Sequence, residues 1–220
     1  MDRRLQLIYD MVDSTDTIAD VGTDHGYLIC SLVADDKARR GVATDINKMP
    51  LESAESEIKK LGLSDRINTY LTDGLKDVEE NIDSVIIAGM GGELIAKIIE
   101  DSVFSEHRDR TYYLQPMTKP QLLRKFLYDN GFIILEEKCV VAGNRPYSVI
   151  KARWTSEKNN YNLYDVYVGK ISIKDSYSRD YIHKITEQLS KKLIGLSKDT
   201  ESSGYLDYKE LYDRLVNQFK

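Results

Sequence analysis

The run Asp20-Val21-Gly22-Thr23-Asp24-His25-Gly26 joins an apolar stretch to a segment of helical period, and places two carboxylates, a hydroxyl, an imidazole and two glycines within seven residues. In open α/β sheets ligands bind at the carboxyl ends of strands, so a nucleotide would sit at this turn. A dinucleotide turn needs three glycines, because its backbone must approach a pyrophosphate at a helix N-terminus. Here Asp24 stands at the middle glycine position. A carboxylate repels a pyrophosphate and attracts a sulfonium or ammonium group, so Asp24 favours a cationic, phosphate-free ligand, a description that S-adenosylmethionine meets. The same residues also suit a plain tight turn with a capping aspartate.

Four further loops carry comparable residues. Asp45, followed by Ile46, closes a second apolar run about 20 residues on, where an acidic side chain accepts hydrogen bonds from ribose hydroxyls or caps the next helix. In Thr72-Asp73-Gly74-Leu75 the aspartate suits an adenine amino group, Leu75 suits the ring face, and Gly74 permits close approach; an Asp-Gly turn is the plainer reading. Gly89-Met90-Gly91-Gly92 removes side chains where a strand meets a helix, leaving room for a flat group or a methyl; close packing is the plainer reading, at an entropic cost for so much glycine. Gln115, before Pro116 and Met117, offers a paired donor and acceptor to an adenine edge or to a strand-end carbonyl.

The elements that must position these loops alternate. Strands are expected at Thr17–Val21, Gly41–Asp45, Ile67–Thr72, Ser84–Ala88, Thr111–Gln115, Gly131–Val141 and Tyr147–Arg153, with helices near Tyr27–Ala34, Pro50–Leu61, Glu93–Glu100 and Lys119–Asn130. This is the pattern of a parallel sheet with helices on both faces. The last two strands have no helix between them and read as an antiparallel hairpin ending a seven-stranded sheet. After Trp154, Ile182, Ile185, Leu189, Leu193 and Leu196 recur at helical spacing, as do Tyr208, Leu211, Leu215 and Phe219. They predict a helical hairpin closed by the polar segment 199–204, while Tyr161–Ile173 is ambiguous.

Composition bounds the rest. The 220 residues fit one domain with a small appendage, and 41% hydrophobic residues suffice for a core. No stretch approaches the ~20 apolar residues of a membrane span, and no signal-like segment opens the chain. Cys30 and Cys139 lie far apart without metal-ligand spacing, so neither a disulfide framework nor a metal site is expected, and a reducing cytoplasm is the expected setting. The net charge of −5 divides into −8 over residues 1–150 and +3 over residues 151–220. An acidic body does not exclude nucleic acid, which depends on a local basic face.

Taken together, these segments resemble the bacterial tRNA (adenine-N1)-methyltransferases that act at tRNA position 22, a class I S-adenosylmethionine-dependent family. The resemblance is carried by Arg4-Leu5, Ala19-Asp20-Val21-Gly22-Thr23-Asp24-His25, Asp45 with Pro50 and Glu52-Ser53-Ala54, Asp73-Gly74-Leu75, Gly89-Met90-Gly91-Gly92 and Leu114-Gln115-Pro116. It spans nearly the whole chain. The family pattern has Ala, Glu and Asn at the positions of Gly26, Asp45 and Met117.

The resemblance implies an α/β, Rossmann-like seven-stranded sheet over residues 1–154 and a coiled-coil-like helical hairpin over residues 155–220. It implies S-adenosylmethionine as cofactor, tRNA as partner, and methyl transfer to adenine N1. Asp24 is the expected catalytic residue. Asp20, Gly22, Thr23, His25, Asp45, Ile46, Asp73, Gly74, Leu75, Gly89 and Met90 are expected at the cofactor, and Arg4, Gly91, Gly92, Gln115, Lys184 and Lys191 at the substrate. The spaced cations Lys170, Lys174, Arg179, Lys184, Lys191 and Lys192 suit RNA contact, or else a solvated helix face. A nicotinamide oxidoreductase shares the sheet but conflicts with Asp24; methyl transfer to another substrate, and a non-catalytic RNA-binding factor on the same fold, are the remaining alternatives.

Overall fold

The structure, a computed structural model, describes residues 1–78, 81–102, 110–157, 160–172 and 176–218. Lys174 and Phe219, named above, lie outside them. The body is one seven-stranded sheet built from β1 (Thr15–Val21), β2 (Ala38–Asp45), β3 (Ile67–Leu71), β4 (Ser84–Gly91), β5 (Thr111–Thr118), β6 (Phe132–Ala142) and β7 (Arg145–Trp154), in the order β3-β2-β1-β4-β5-β7-β6. The first five strands are parallel, and β7 enters antiparallel between β5 and β6. The order reverses at β1 and β4, which opens a crevice at their carboxyl ends.

Alternation along the strands feeds a core on each face. Ile18, Ile86, Tyr113 and Val149 turn towards α1 (Arg3–Met11), α2 (Tyr27–Ala34) and α3 (Lys48–Lys60). Their neighbours Ala19, Val85, Ile87, Tyr112 and Ile150 turn towards α4 (Gly92–Asp101) and α5 (Pro120–Asp129). Pro120 takes the first turn of α5, where its missing N–H leaves nothing unpaired.

Four features differ from the pattern read in the sequence. Helix α1 was not expected; Asp2 caps it, accepting from the Arg4 and Leu5 amides, and it buries Ile8 and Met11. Strand β4 runs on through the glycine block with two register shifts, so Gly89-Met90-Gly91 is bulged strand, not loop. The β6–β7 connection shortens to Gly143-Asn144, both at positive φ (+54° and +59°), the conformation of the tightest hairpin turns. The tyrosine-rich fragment contains a short helix, α6 (Leu163–Tyr167), started by an Asn162/Asp165 capping box.

Beyond the sheet, α7 (Ser176–Leu196) and α8 (Ser203–Asn217) form a hairpin whose Tyr181, Ile182, Ile185, Leu189, Leu211 and Leu215 share a cluster with Cys139 of β6. A buried polar network reinforces this contact. The fully buried Arg124 of α5 pairs with Glu137 of β6 at 2.9 Å and donates to the carbonyls of Val166 and Tyr167 and to the Tyr181 hydroxyl. Glu137 also accepts from the Lys170 amide. Gly169 (φ +67°) passes so close that a Cβ there would lie 1.8 Å from the Glu137 carboxylate.

Candidate cofactor and substrate site

The carboxyl ends of β1, β2 and β4 enclose a cavity of about 450 Å³, within the range of small-molecule sites. Asp20 closes β1 on its floor. It is 5% exposed and accepts a 2.8 Å hydrogen bond from the Thr23 hydroxyl. Burial, partly offset by the Thr23 hydrogen bond and assisted by the nearby charge of Asp45, pushes its carboxyl up to about 6.

Asp45, one strand over, accepts from the Asn47 amide at 2.8 Å, forming a local turn; the cap position of α3 belongs to Asn47. One carboxylate oxygen of Asp45 thus has a backbone partner, and a lone pair-rich group still faces the cavity. Beside it Thr44 Oγ1 is buried and has no hydrogen-bond partner among the described residues, although Thr44 lines the same cavity. A buried hydroxyl left unpaired costs free energy unless a ligand completes it. Thr44 was not among the residues expected here; its only signal was its place beside Asp45.

The glycines shape the opposite wall. Gly22 has φ +72°, the left-handed region that favours glycine, and a Cβ there would come within 2.4 Å of Met90 Cε, the movable end of a flexible side chain of β4. Gly89, at φ +78°, lines the cavity, and a Cβ there would meet nothing within 4 Å, leaving bare backbone beside open space. Its amide donates to Gln115 Oε1 at 3.2 Å. Gln115 is fully buried and its Nε2 donates to the Pro116 carbonyl at 3.1 Å.

Asp24 and His25 stand on the rim. Asp24 adopts a left-handed φ of +55°, as a glycine would, which aspartate tolerates better than most residues. Its carboxylate lies 3.7 Å from His25 Nε2, and His25 stacks on Tyr27 with centroids 5.4 Å apart. Ile46, 65% exposed, and Asp73, paired with Lys76 at 2.7 Å, complete the mouth together with Gly74. Arg4 reaches the same cavity from α1 and so stands on its wall, where substrate contact had been expected.

Four expected site residues lie elsewhere. Leu75 is 2% exposed and packs in the core with Ile95 and Ile98, so it has no face for an adenine ring. Gly92 starts α4 against the β5–α5 connection, where a Cβ would meet the Lys119 carbonyl at 2.5 Å, and Gly91 pairs with Thr118 across β4 and β5; both serve close packing of backbone and lie outside the cavity lining. Lys191 is exposed on the outer face of α7 and lines no cavity found among the described residues, whereas Lys184 and Lys192 line a second cavity of about 960 Å³ between the β5–α5 loop, the β6–β7 turn and α7. Arg145 and Tyr147 of that cavity were also unexpected.

The donor set fits a nucleoside with a cationic group. It offers the carboxylates of Asp20 and Asp45 on the floor, side-chain-free backbone opposite, and the carboxylates of Asp24 and Asp73 at the rim. Among the described residues no cluster of three His, Cys, Asp or Glu side chains is arranged to hold a metal ion, and no helix is long and apolar enough to cross a membrane.

Comparison with known proteins agrees with this geometry. Residues 1–150 match a family model described as a methyltransferase domain. The tRNA (adenine(22)-N(1))-methyltransferase of Bacillus subtilis is 28% identical over 224 aligned residues, covering 98% of this chain and 94% of that protein. Among solved structures, M. capricolum TrmK in complex with S-adenosyl-homocysteine superposes with a TM-score of 0.79 at 25% identity, covering 99% of this chain and 97% of the other. Streptococcus pneumoniae Sp1610 in complex with S-adenosyl-L-methionine gives 0.83 at 25% identity, covering 96% and 99%.

Proposed function

This chain belongs to the methyltransferase-domain family, and on that premise we propose that it transfers a methyl group from S-adenosylmethionine to N1 of adenosine 22 in tRNA. The observation that carries the donor is the convergence of Asp20 and Asp45 on one cavity with a glycine wall. The acceptor rests on the Bacillus subtilis relative, whose similarity runs through body and tail alike.

S-adenosylmethionine, when bound, supplies an electrophilic methyl carbon on a positively charged sulfur. Adenine N1 already has a lone pair, so this chain need not provide a strong base; its task is alignment. Asp45 and Thr44 hold the nucleoside hydroxyls, Asp20 contributes negative potential beneath the cationic group, and Gly22 and Gly89 let the backbone approach. Asp24 at the rim stabilises the positive charge that develops on the methylated ring, or takes the proton from its exocyclic amine. Residues 1–154 form the donor-binding unit and residues 155–220 supply the tRNA contact, an assignment suited to a cytoplasmic enzyme.

Incubating the protein with labelled donor and unmodified bulk tRNA, followed by digestion and nucleoside mapping, tests the reading. N1-methyladenosine at position 22 is the expected product. A label at another nucleoside, or none on tRNA, rejects it.

A further inference from the structure

The second cavity holds cations that have no carboxylate to neutralise them. Lys184 of α7 is half-buried; its ammonium donates to the Pro146 carbonyl at 3.0 Å and lies 5.4 Å from the Tyr147 ring centroid. Burial, and then the charge of Arg145 across the β6–β7 turn, lower its pKa. Among the described residues, neither Lys184 nor Arg145 lies within ion-pair distance of an acid, although Asp180 and Glu187 share the wall and Glu187 pairs with His183 at 3.5 Å. Lys192, in the same wall, differs in resting on the Tyr208 ring at 3.9 Å.

Arg145 is exposed and Lys184 half-buried, so both are within reach of an anion entering the cavity, which would relieve their mutual repulsion. Their place is also informative. Arg4, which lines the cofactor cavity, approaches the same Tyr147 ring at 5.6 Å and contacts the Met117 sulfur, and Met117 lines the second cavity. Tyr147 and Met117 thus stand at the boundary between the two spaces.

Resting on the tRNA reading above, we propose that Lys184 and Arg145 form a phosphate subsite that grips a backbone phosphodiester of the strand carrying the target adenosine, so that the base is presented past Tyr147 towards the cofactor cavity. Phosphate contacts of this kind set register and orientation, while the base is read elsewhere. The subsite lies on the inner wall of the tail, not on the outer lysine row.

The test uses the full chain and its Lys184→Gln, Arg145→Gln and double variants, measuring S-adenosylhomocysteine affinity, tRNA affinity across a salt series, and N1-methyladenosine formation by the wild type. The expected result is unchanged S-adenosylhomocysteine affinity, about fivefold weaker tRNA binding for each single variant, and a salt slope shallower by roughly 0.7–0.9 per charge removed. Lys184→Arg retains the wild-type slope. Variants that bind S-adenosylhomocysteine normally, with wild-type tRNA affinity and slope, overturn the subsite alone. A wild type that forms no N1-methyladenosine on tRNA overturns the functional reading and the subsite with it.

Discussion

Asp20 and Asp45 close neighbouring parallel strands and face one cavity, and the charge of Asp45 adds to the cost that burial sets on ionising Asp20. The folded-state pKa of Asp20, about 6, lies above the ordinary value of 3.8. Between these values the folded chain keeps a proton that the unfolded chain has released. Its contribution to stability is therefore present at low pH and is lost as pH rises through 6, in total about 3 kcal/mol. Asp20→Asn should melt higher than the wild type at pH 7, with the difference vanishing near pH 4, while binding S-adenosylmethionine more weakly at pH 7. Parallel melting curves for the two proteins across pH 4–7 would contradict this.

Asp24→Asn isolates charge from shape. Asparagine tolerates the left-handed φ of +55°, so the fold and S-adenosylhomocysteine affinity should hold. Turnover on transcribed tRNA should fall by about tenfold or more, towards the range seen when a positioned acid–base group is removed. Full turnover in the variant removes Asp24 from the chemistry.

Gly22→Ala and Gly89→Ala separate two uses of glycine. At Gly22 the left-handed φ of +72° costs an alanine about 1 kcal/mol, and the new methyl pushes aside Met90 Cε, which lines the cavity, so cofactor affinity should fall indirectly. At Gly89 no protein atom lies within 4 Å, and the expected stability loss is only the ~1 kcal/mol of a left-handed alanine, with cofactor affinity falling as the methyl enters the ligand's space. Calorimetric titration alongside thermal melting checks both; a variant with unchanged cofactor affinity would remove that glycine from the ligand's surroundings.

Arg124→Met strands the Glu137 carboxylate in the core, and Glu137→Leu strands the guanidinium. Each single change should cost about 3–5 kcal/mol, a melting shift on the order of 10 °C, and the double change should recover much of it. Additive losses in the double variant would show that the pair does not act as a unit.

The sheet was legible because its strands are apolar runs separated by helices of clear period, and the missing helix between the last two strands marked the antiparallel end. The cavity's acids were legible for a simple reason: a carboxylate at a strand's end is conspicuous in sequence. Leu75 and Gly92 misled because a residue beside a loop motif can equally face the core or a neighbouring loop, and one-dimensional spacing does not say which. Thr44 escaped notice since its significance lies in a hydrogen bond it lacks. Arg145 and Tyr147 sit 37 or more residues before Lys184, so only the packing of α7 on the hairpin brings them together. Helix α1 was overlooked although Asp2, Leu5, Ile8 and Met11 carry its cap and its stripe.

The buried Arg124 network bears on how substrate enters. One guanidinium grips the last carbonyls of α6, the hydroxyl of α7 and the carboxylate of β6, so that among the described residues the tail is tied to the sheet through one buried ionic contact. On the proposed function, an RNA strand docks against a wall braced from within the sheet, and more of the shape adjustment falls to the nucleic acid.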